Sequence, residues 1–205
     1  MSETPESDRD REHREKMARR KDARDKIMAT KTEERGLVIV HTGKGKGKTT
    51  AAMGMALRCI GHGYKVGIVQ FVKGAWNTGE RRALESFGDL VAFKAIGEGF
   101  TWETQDRARD IAAAEAALAA AGDMIRDPSF RMVILDELNI VLRYDYVPVQ
   151  AVLALLDEKP EATHVVITGR NAKDEIIARA DLVTEMTLVK HPFAAGVKAQ
   201  PGIEF

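Results

Sequence analysis

From Gly36 onward, short unbroken apolar runs alternate with longer segments of helical period, and residues 1–34 contain nothing of the kind. The runs GLVIVHT, KVGIVQFV, LVAFKAIG, RMVILDE, THVVITG and LVTEMTLV predict strands. Between them, KTTAAMGMALRCIGHG, TGERRALESFG and AKDEIIARA predict helices. The Ala-rich stretch Glu103 to Asp127 predicts a longer helix with Ile111, Leu118, Ala121 and Ile125 near one face, and a helical stretch after RMVILDE is interrupted at Pro148. Strands that read apolar throughout are buried on both sides. The alternation therefore predicts an α/β fold, a mainly parallel central sheet of about six strands with helices on both faces.

Residues 1–34 mix acids and bases densely, with no aromatic residue, and cannot form a core of their own. REKMARRKDARDKIMA has helix propensity and a short apolar stripe through Ala23 and Ile27, so this arm is expected to be helical or disordered and to dock conditionally. Residues 35–205 are expected to form one domain, since 205 residues at 44% hydrophobic content bury a single sizeable core. The formal net charge is zero, which removes the basic field that binds nucleic acid non-specifically. Cys59 is the only cysteine, so a disulfide framework and a multi-thiolate zinc site are excluded; on the apolar face of its helix it reads as core. No apolar stretch approaches the roughly 20 residues that cross a bilayer, and a cytoplasmic protein without membrane association is expected.

The segment HTGKGKGKTT follows the first strand and opens a helix, which is the context of a phosphate-binding loop, but one residue shorter than usual: Lys44, Gly45 and Lys46 alone separate Gly43 from Gly47. Backbone N–H groups aimed at phosphate oxygens leave no room for side chains, so Gly43, Gly45 and Gly47 suit the task. Lys48 reaches phosphate as a point charge, Thr49 offers a hydroxyl to magnesium, and the helix N-terminus at Lys48-Thr49-Thr50 adds partial positive charge. Lys44 and Lys46 touch phosphate or are solvated. RMVILDE ends in Asp136 and Glu137, and strand-end carboxylates hold magnesium, or manganese, in such folds; Glu137 is the first choice and Asp136 the second.

These features predict a magnesium–nucleotide protein without saying which bond breaks. No kinase-like base is evident, and His13, His41, His62, His164 and His191 lack metal spacing. Phe100 and Trp102, in the glycine-flanked GEGFTWETQ, either fold back on the core or wall a flat hydrophobic ligand. The C-terminal KHPFAAGVKAQPGIEF, with Lys190, His191, Lys198 and Gln200, is expected to be ordered against the site or a subunit interface.

GFTWETQ, with TGKGKGKTTAA, GHGYKVGIVQFVKG, NTGER, VILDELN, VITGR and VKHPFAAGVKAQPGIEF, resembles the corrinoid adenosyltransferases of the cobalamin pathway over residues 34–205. Lys44 departs from the asparagine of such enzymes. The resemblance implies a RecA-like P-loop NTPase fold and transfer of the 5′-deoxyadenosyl group of ATP to the Co(I) of cob(I)yrinic acid a,c-diamide or cob(I)alamin, with release of inorganic triphosphate. It implies that the triphosphate lies reversed in the loop, exposing the ribose C5′, and that Lys48, loop amides and magnesium stabilise the departing charge. It further implies that Phe100 and Trp102 press on the lower corrin face, that the arm 1–34 closes as a lid, that a flavoprotein supplies electrons, and that the enzyme is a homodimer. The competing readings are a RecA-like ATPase that releases ADP and phosphate, and a nucleotide-sensing binding module without turnover.

Overall fold

A computed structural model describes residues 7–72, 78–96 and 106–204. Phe100 and Trp102 lie outside the described residues. The chain divides into two compact units, Met1–Glu34 and Arg35–Phe205.

The first unit holds helix α1 (Asp8–Ala29). Ser7 caps it by accepting from the Asp10 N–H, with Asp8 and Asp10 in the first turn and Lys26 in the last, each complementing the helix dipole. Pairs Arg11–Asp8, Arg19–Glu15 and Lys26–Asp22 run along its surface at helical spacing. None of its residues is buried within the described structure, and the stripe expected through Ile27 stands 60% exposed.

The second unit is wound as the alternation predicts: β1 (Val38–Thr42), α2 (Lys48–Gly61), β2 (Lys65–Gln70), α3 (Gly79–Glu85), β3 (Val91–Ala95), α4 (Arg107–Arg126), β4 (Phe130–Asp136), α5 (Leu138–Arg143), α6 (Val149–Asp157), β5 (His164–Thr168), α7 (Asp174–Arg179) and β6 (Leu182–Glu185). The sheet has six strands in the order β3-β2-β4-β5-β1-β6, every pair parallel. Alternate residues feed two cores. Ile39, Ile68, Ile134 and Val166 pack with Ala52, Ala56 and Ile60 of α2, while Val40, Leu135, Val165 and Ile167 pack on the opposite face with helices α4 to α7.

Two details differ from the sequence expectation, the end of β6 and the buried line of α4, while the interruption at Pro148 agrees with it. The last apolar run was expected to be strand through Val189, yet β6 ends at Glu185, because from Met186 the chain leaves the ladder and bonds to the loop after β1. The stretch around Pro148 is two helices, with Asp145 in the left-handed region (φ 52°) at the break. On α4 the fully buried line is Ala114, Ala117, Ala121 and Ile125, with Ile111 and Leu118 only partly buried. Alanines there let the helix lie close to the sheet, where a Cβ on Gly67 would stand 2.7 Å from Met124 Sδ.

Two imidazoles are held neutral by the fold. His41 is 6% exposed with no hydrogen-bond partner on either ring nitrogen among the described residues, and burial lowers its pKa from the ordinary 6.5. His164 accepts the Leu37 N–H on Nδ1 at 3.1 Å; burial, then the charges of Arg131 and Lys159, lower its pKa too. A folded pKa below the unfolded one means that the unfolded chain binds more protons as pH falls through 6.5. Stability is therefore complete above that value and declines below it, by at most about 1.4 kcal/mol per pH unit for each ring. Urea melts at pH 7 and pH 5 are expected to show this loss, and the double variant His41→Leu, His164→Gln is expected to flatten it.

Candidate active site

The carboxyl ends of three adjacent strands, β2, β4 and β5, converge on one carboxylate. Asp136 is completely buried at the end of β4. Its Oδ1 accepts from Thr49 Oγ1 at 2.8 Å and from Thr168 Oγ1 at 2.8 Å, and its Oδ2 accepts from Gln70 Nε2 at 2.9 Å. A buried carboxylate needs such donors, because each unmet acceptor costs about 1–3 kcal/mol and more when charged. The Thr168 hydroxyl in turn accepts the Glu137 N–H at 2.8 Å. That bond accompanies a left-handed backbone at Glu137 (φ 64°), uncommon outside glycine and a sign of local strain at the site.

The loop between β1 and α2 is shaped by two different demands. Gly43 and Gly47 have φ of 97° and 105°, the region that disfavours side chains. Gly45 has no such angle, and its constraint is a neighbour: a Cβ there would stand 2.5 Å from Thr187 O and 2.8 Å from Met186 O. The Gly45 N–H donates to Met186 O at 2.6 Å, and the Met186 N–H donates to Thr42 O at 2.8 Å. The segment after β6 thus forms a backbone ledge beneath the loop.

Lys48, 7% exposed, donates from Nζ to Gly43 O at 2.9 Å and Gly45 O at 2.5 Å. Burial lowers its pKa foremost; the Glu137 carboxylate opposes that shift, and the charges of Arg170 and Lys46 reinforce it. Lys46 is ion-paired with Glu204 near the C-terminus. Lys44 is exposed and makes no hydrogen bond or ion pair among the described residues.

A cavity of about 490 Å³ opens over this loop, walled by residues 45–50, Glu137, Arg143, Arg170, His191, Ile203 and Glu204. Of the site residues read from sequence, Gly45, Lys46, Gly47, Lys48, Thr49, Thr50 and Glu137 face one space; Gly43 and Lys44 are outside its wall, and Asp136 lies behind Thr49. His191 and the C-terminal segment reach the same space, as expected of an ordered tail, while Lys198 does not line it. Gln70, Thr168 and Glu204 were not singled out in the sequence. A polar residue ending each of two apolar runs, KVGIVQ and HVVIT, is the signal that marks the first two.

The donor set suits a hard divalent cation. Thr49 gives its hydroxyl proton to Asp136, leaving oxygen lone pairs toward the cavity, and Glu137 adds a carboxylate on the same wall. Among the described residues no cluster of three or more His, Cys, Asp or Glu is placed to hold a metal unaided. That fits a cation completing its shell with phosphate oxygens and water. Among those residues, too, no helix is long and apolar enough to cross a membrane.

Gly45→Ala tests the ledge. The added methyl collides with backbone rather than with a movable side chain, so loop and ledge must part. Nucleotide affinity by calorimetry is expected to fall at least tenfold, while far-ultraviolet dichroism stays that of the parent.

Comparison with known proteins places the chain in a family. Residues 34–205 match the model described as ATP:corrinoid adenosyltransferase BtuR/CobO/CobP, and residues 1–28 match the one described as cob(I)alamin adenosyltransferase N terminal. The chain is 60% identical to a corrinoid adenosyltransferase of Sinorhizobium sp., covering 99% of this chain and 96% of that protein. It is 52% identical to a corrinoid adenosyltransferase of Pseudomonas aeruginosa across the full length of both. It is 47% identical to the corrinoid adenosyltransferase CobA of Salmonella typhimurium, covering 96% of this chain and 99% of that protein. With its phosphate-binding loop, buried strand-end carboxylate and full-length likeness, the chain belongs to the ATP:corrinoid adenosyltransferase family.

Proposed function

We propose that this enzyme transfers the 5′-deoxyadenosyl group of ATP to the Co(I) centre of a corrinoid in adenosylcobalamin biosynthesis, releasing inorganic triphosphate. The observation that carries this reading is the coincidence of the family match over residues 34–205 with a compact loop whose Lys48 and Thr49 share one cavity wall with Glu137. In the reaction, a cobalt–carbon bond forms at C5′, the C5′–O bond breaks, and its electron pair leaves with the triphosphate. Co(I) is itself the nucleophile, so no protein base is needed.

The chain's own tasks are then to grip the triphosphate and receive its charge. Lys48, bonded to loop carbonyls, exchanges those acceptors for phosphate oxygens, and its burial strengthens the resulting electrostatic contact. Loop amides from Gly43 to Thr50 hold the phosphates, reversed relative to an ATPase, so that C5′ projects outward. Magnesium, held by Thr49 and Glu137 with Asp136 orienting Thr49, would supply charge neutralisation of the polyphosphate. Phe100 and Trp102 press on the lower corrin face and favour a four-coordinate cobalt that a flavoprotein donor reduces. The arm 1–34 closes over the corrinoid, and the enzyme works as a cytoplasmic homodimer.

Protein, magnesium-ATP and chemically reduced corrinoid are expected to give a light-sensitive cobalt–carbon chromophore and triphosphate in equal amounts. Orthophosphate with ADP, and no chromophore, would instead establish a hydrolase. Phe100→Ala and Trp102→Ala are expected to suppress turnover at least tenfold when Co(II) must be reduced by the flavoprotein, with ATP affinity unchanged. Deletion of residues 1–34 is expected to raise the KM for corrinoid while sparing the Kd for ATP.

A further inference from the structure

The cavity has a cation that the loop motif does not account for. Arg170 lies on the wall formed by the chain after β5, and its charge is felt at Lys48. Among the described residues its guanidinium makes no hydrogen bond or ion pair, and it is exposed. A lone exposed arginine is ordinarily a solvated surface charge; what sets this one apart is the chain that carries it.

Residues 168–172 are tied down on both sides. Thr168 is bonded to Asp136, and the Gly169 carbonyl accepts from Asn139 Nδ2 at 3.2 Å. Gly169 has φ of 126°, and a Cβ there would stand 2.8 Å from Asn139 Cβ. Asn171 is left-handed as well, with φ 55°, and the Ala172 N–H donates to Thr42 Oγ1 at 3.1 Å, at the root of the phosphate loop. The fold thus sets positive-φ backbone on both sides of Arg170, which glycine accommodates at 169 and which carries a cost at Asn171. Such strain persists only where surrounding contacts over-determine it, and it gathers at functional sites. Stationing a second cation beside the partly desolvated Lys48 is repulsive, and a polyanion relieves that repulsion.

We propose that Arg170 is a direct ligand of the polyphosphate, a second protein cation that grips the departing triphosphate from the β5 side while Lys48 grips it from the loop. The inference rests on the adenosyl-transfer reading, in which the triphosphate gains one negative charge as C5′–O breaks. A planar guanidinium offers two parallel N–H donors to phosphate oxygens, a geometry that lysine lacks.

Titration calorimetry with magnesium tripolyphosphate as probe, and separately with adenosine, tests this on the full chain and on Arg170→Gln and Arg170→Lys. The glutamine variant is expected to bind tripolyphosphate at least tenfold more weakly and to lose adenosyl transfer with chemically reduced corrinoid by a similar or larger factor. Its adenosine affinity and melting temperature are expected to be unchanged, and the lysine variant should recover part of the tripolyphosphate affinity. Tripolyphosphate binding equal to the parent's, absence of such binding in the parent, or equal losses for both probes with a lowered melting temperature would each overturn the proposal. A parent that binds tripolyphosphate through Arg170 but forms no cobalt–carbon bond would defeat the adenosyl-transfer reading instead.

Discussion

Burial of the Asp136 carboxylate is the constraint around which the site is arranged. A charge with no exposure to water must be met by donors, and here they come from the ends of β2 and β5 and the first turn of α2. Strands β2 and β5 flank β4 directly, and α2 follows β1 through the glycine loop. Satisfying one side chain therefore fixes the relative height of four elements where the loop must meet its ligand. Thr49 is oriented by the same bond, so nucleotide chemistry and sheet register share a single anchor.

The architecture was legible because parallel strands buried on both faces leave uninterrupted apolar runs, and each run in Gly36–Glu185 became a strand. The loop was legible for a comparable reason: Gly43 and Gly47 answer a backbone requirement intrinsic to their own dihedral angles. Gly45 looks identical in the sequence, yet its requirement comes from the backbone of Met186 and Thr187. Local pattern could show that glycine is needed there, and only tertiary contact shows why.

The polar ends of KVGIVQ and HVVIT mark Gln70 and Thr168, but the role of each comes from pairing across the sheet, which no local spacing encodes. The two carboxylates were read as a ranked pair for one task, and the structure separates them: Glu137 faces the cavity, while Asp136 is enclosed behind Thr49. The end of β6 was misjudged for a related reason. Met186 to Val189 have strand composition, but at the sheet edge the chain found partners in the loop instead of a longer ladder.

The ledge under the loop also orders events during synthesis. Lys46 and Glu204 are 158 residues apart in the chain, so the glycine loop leaves the ribosome long before the carboxylate that pairs with it. Domains take shape from the amino end as they emerge, at roughly 5–20 residues per second. For some seconds the nascent chain therefore carries the glycine loop without the Met186 and Thr187 backbone that supports it or the carboxylate that pairs with Lys46.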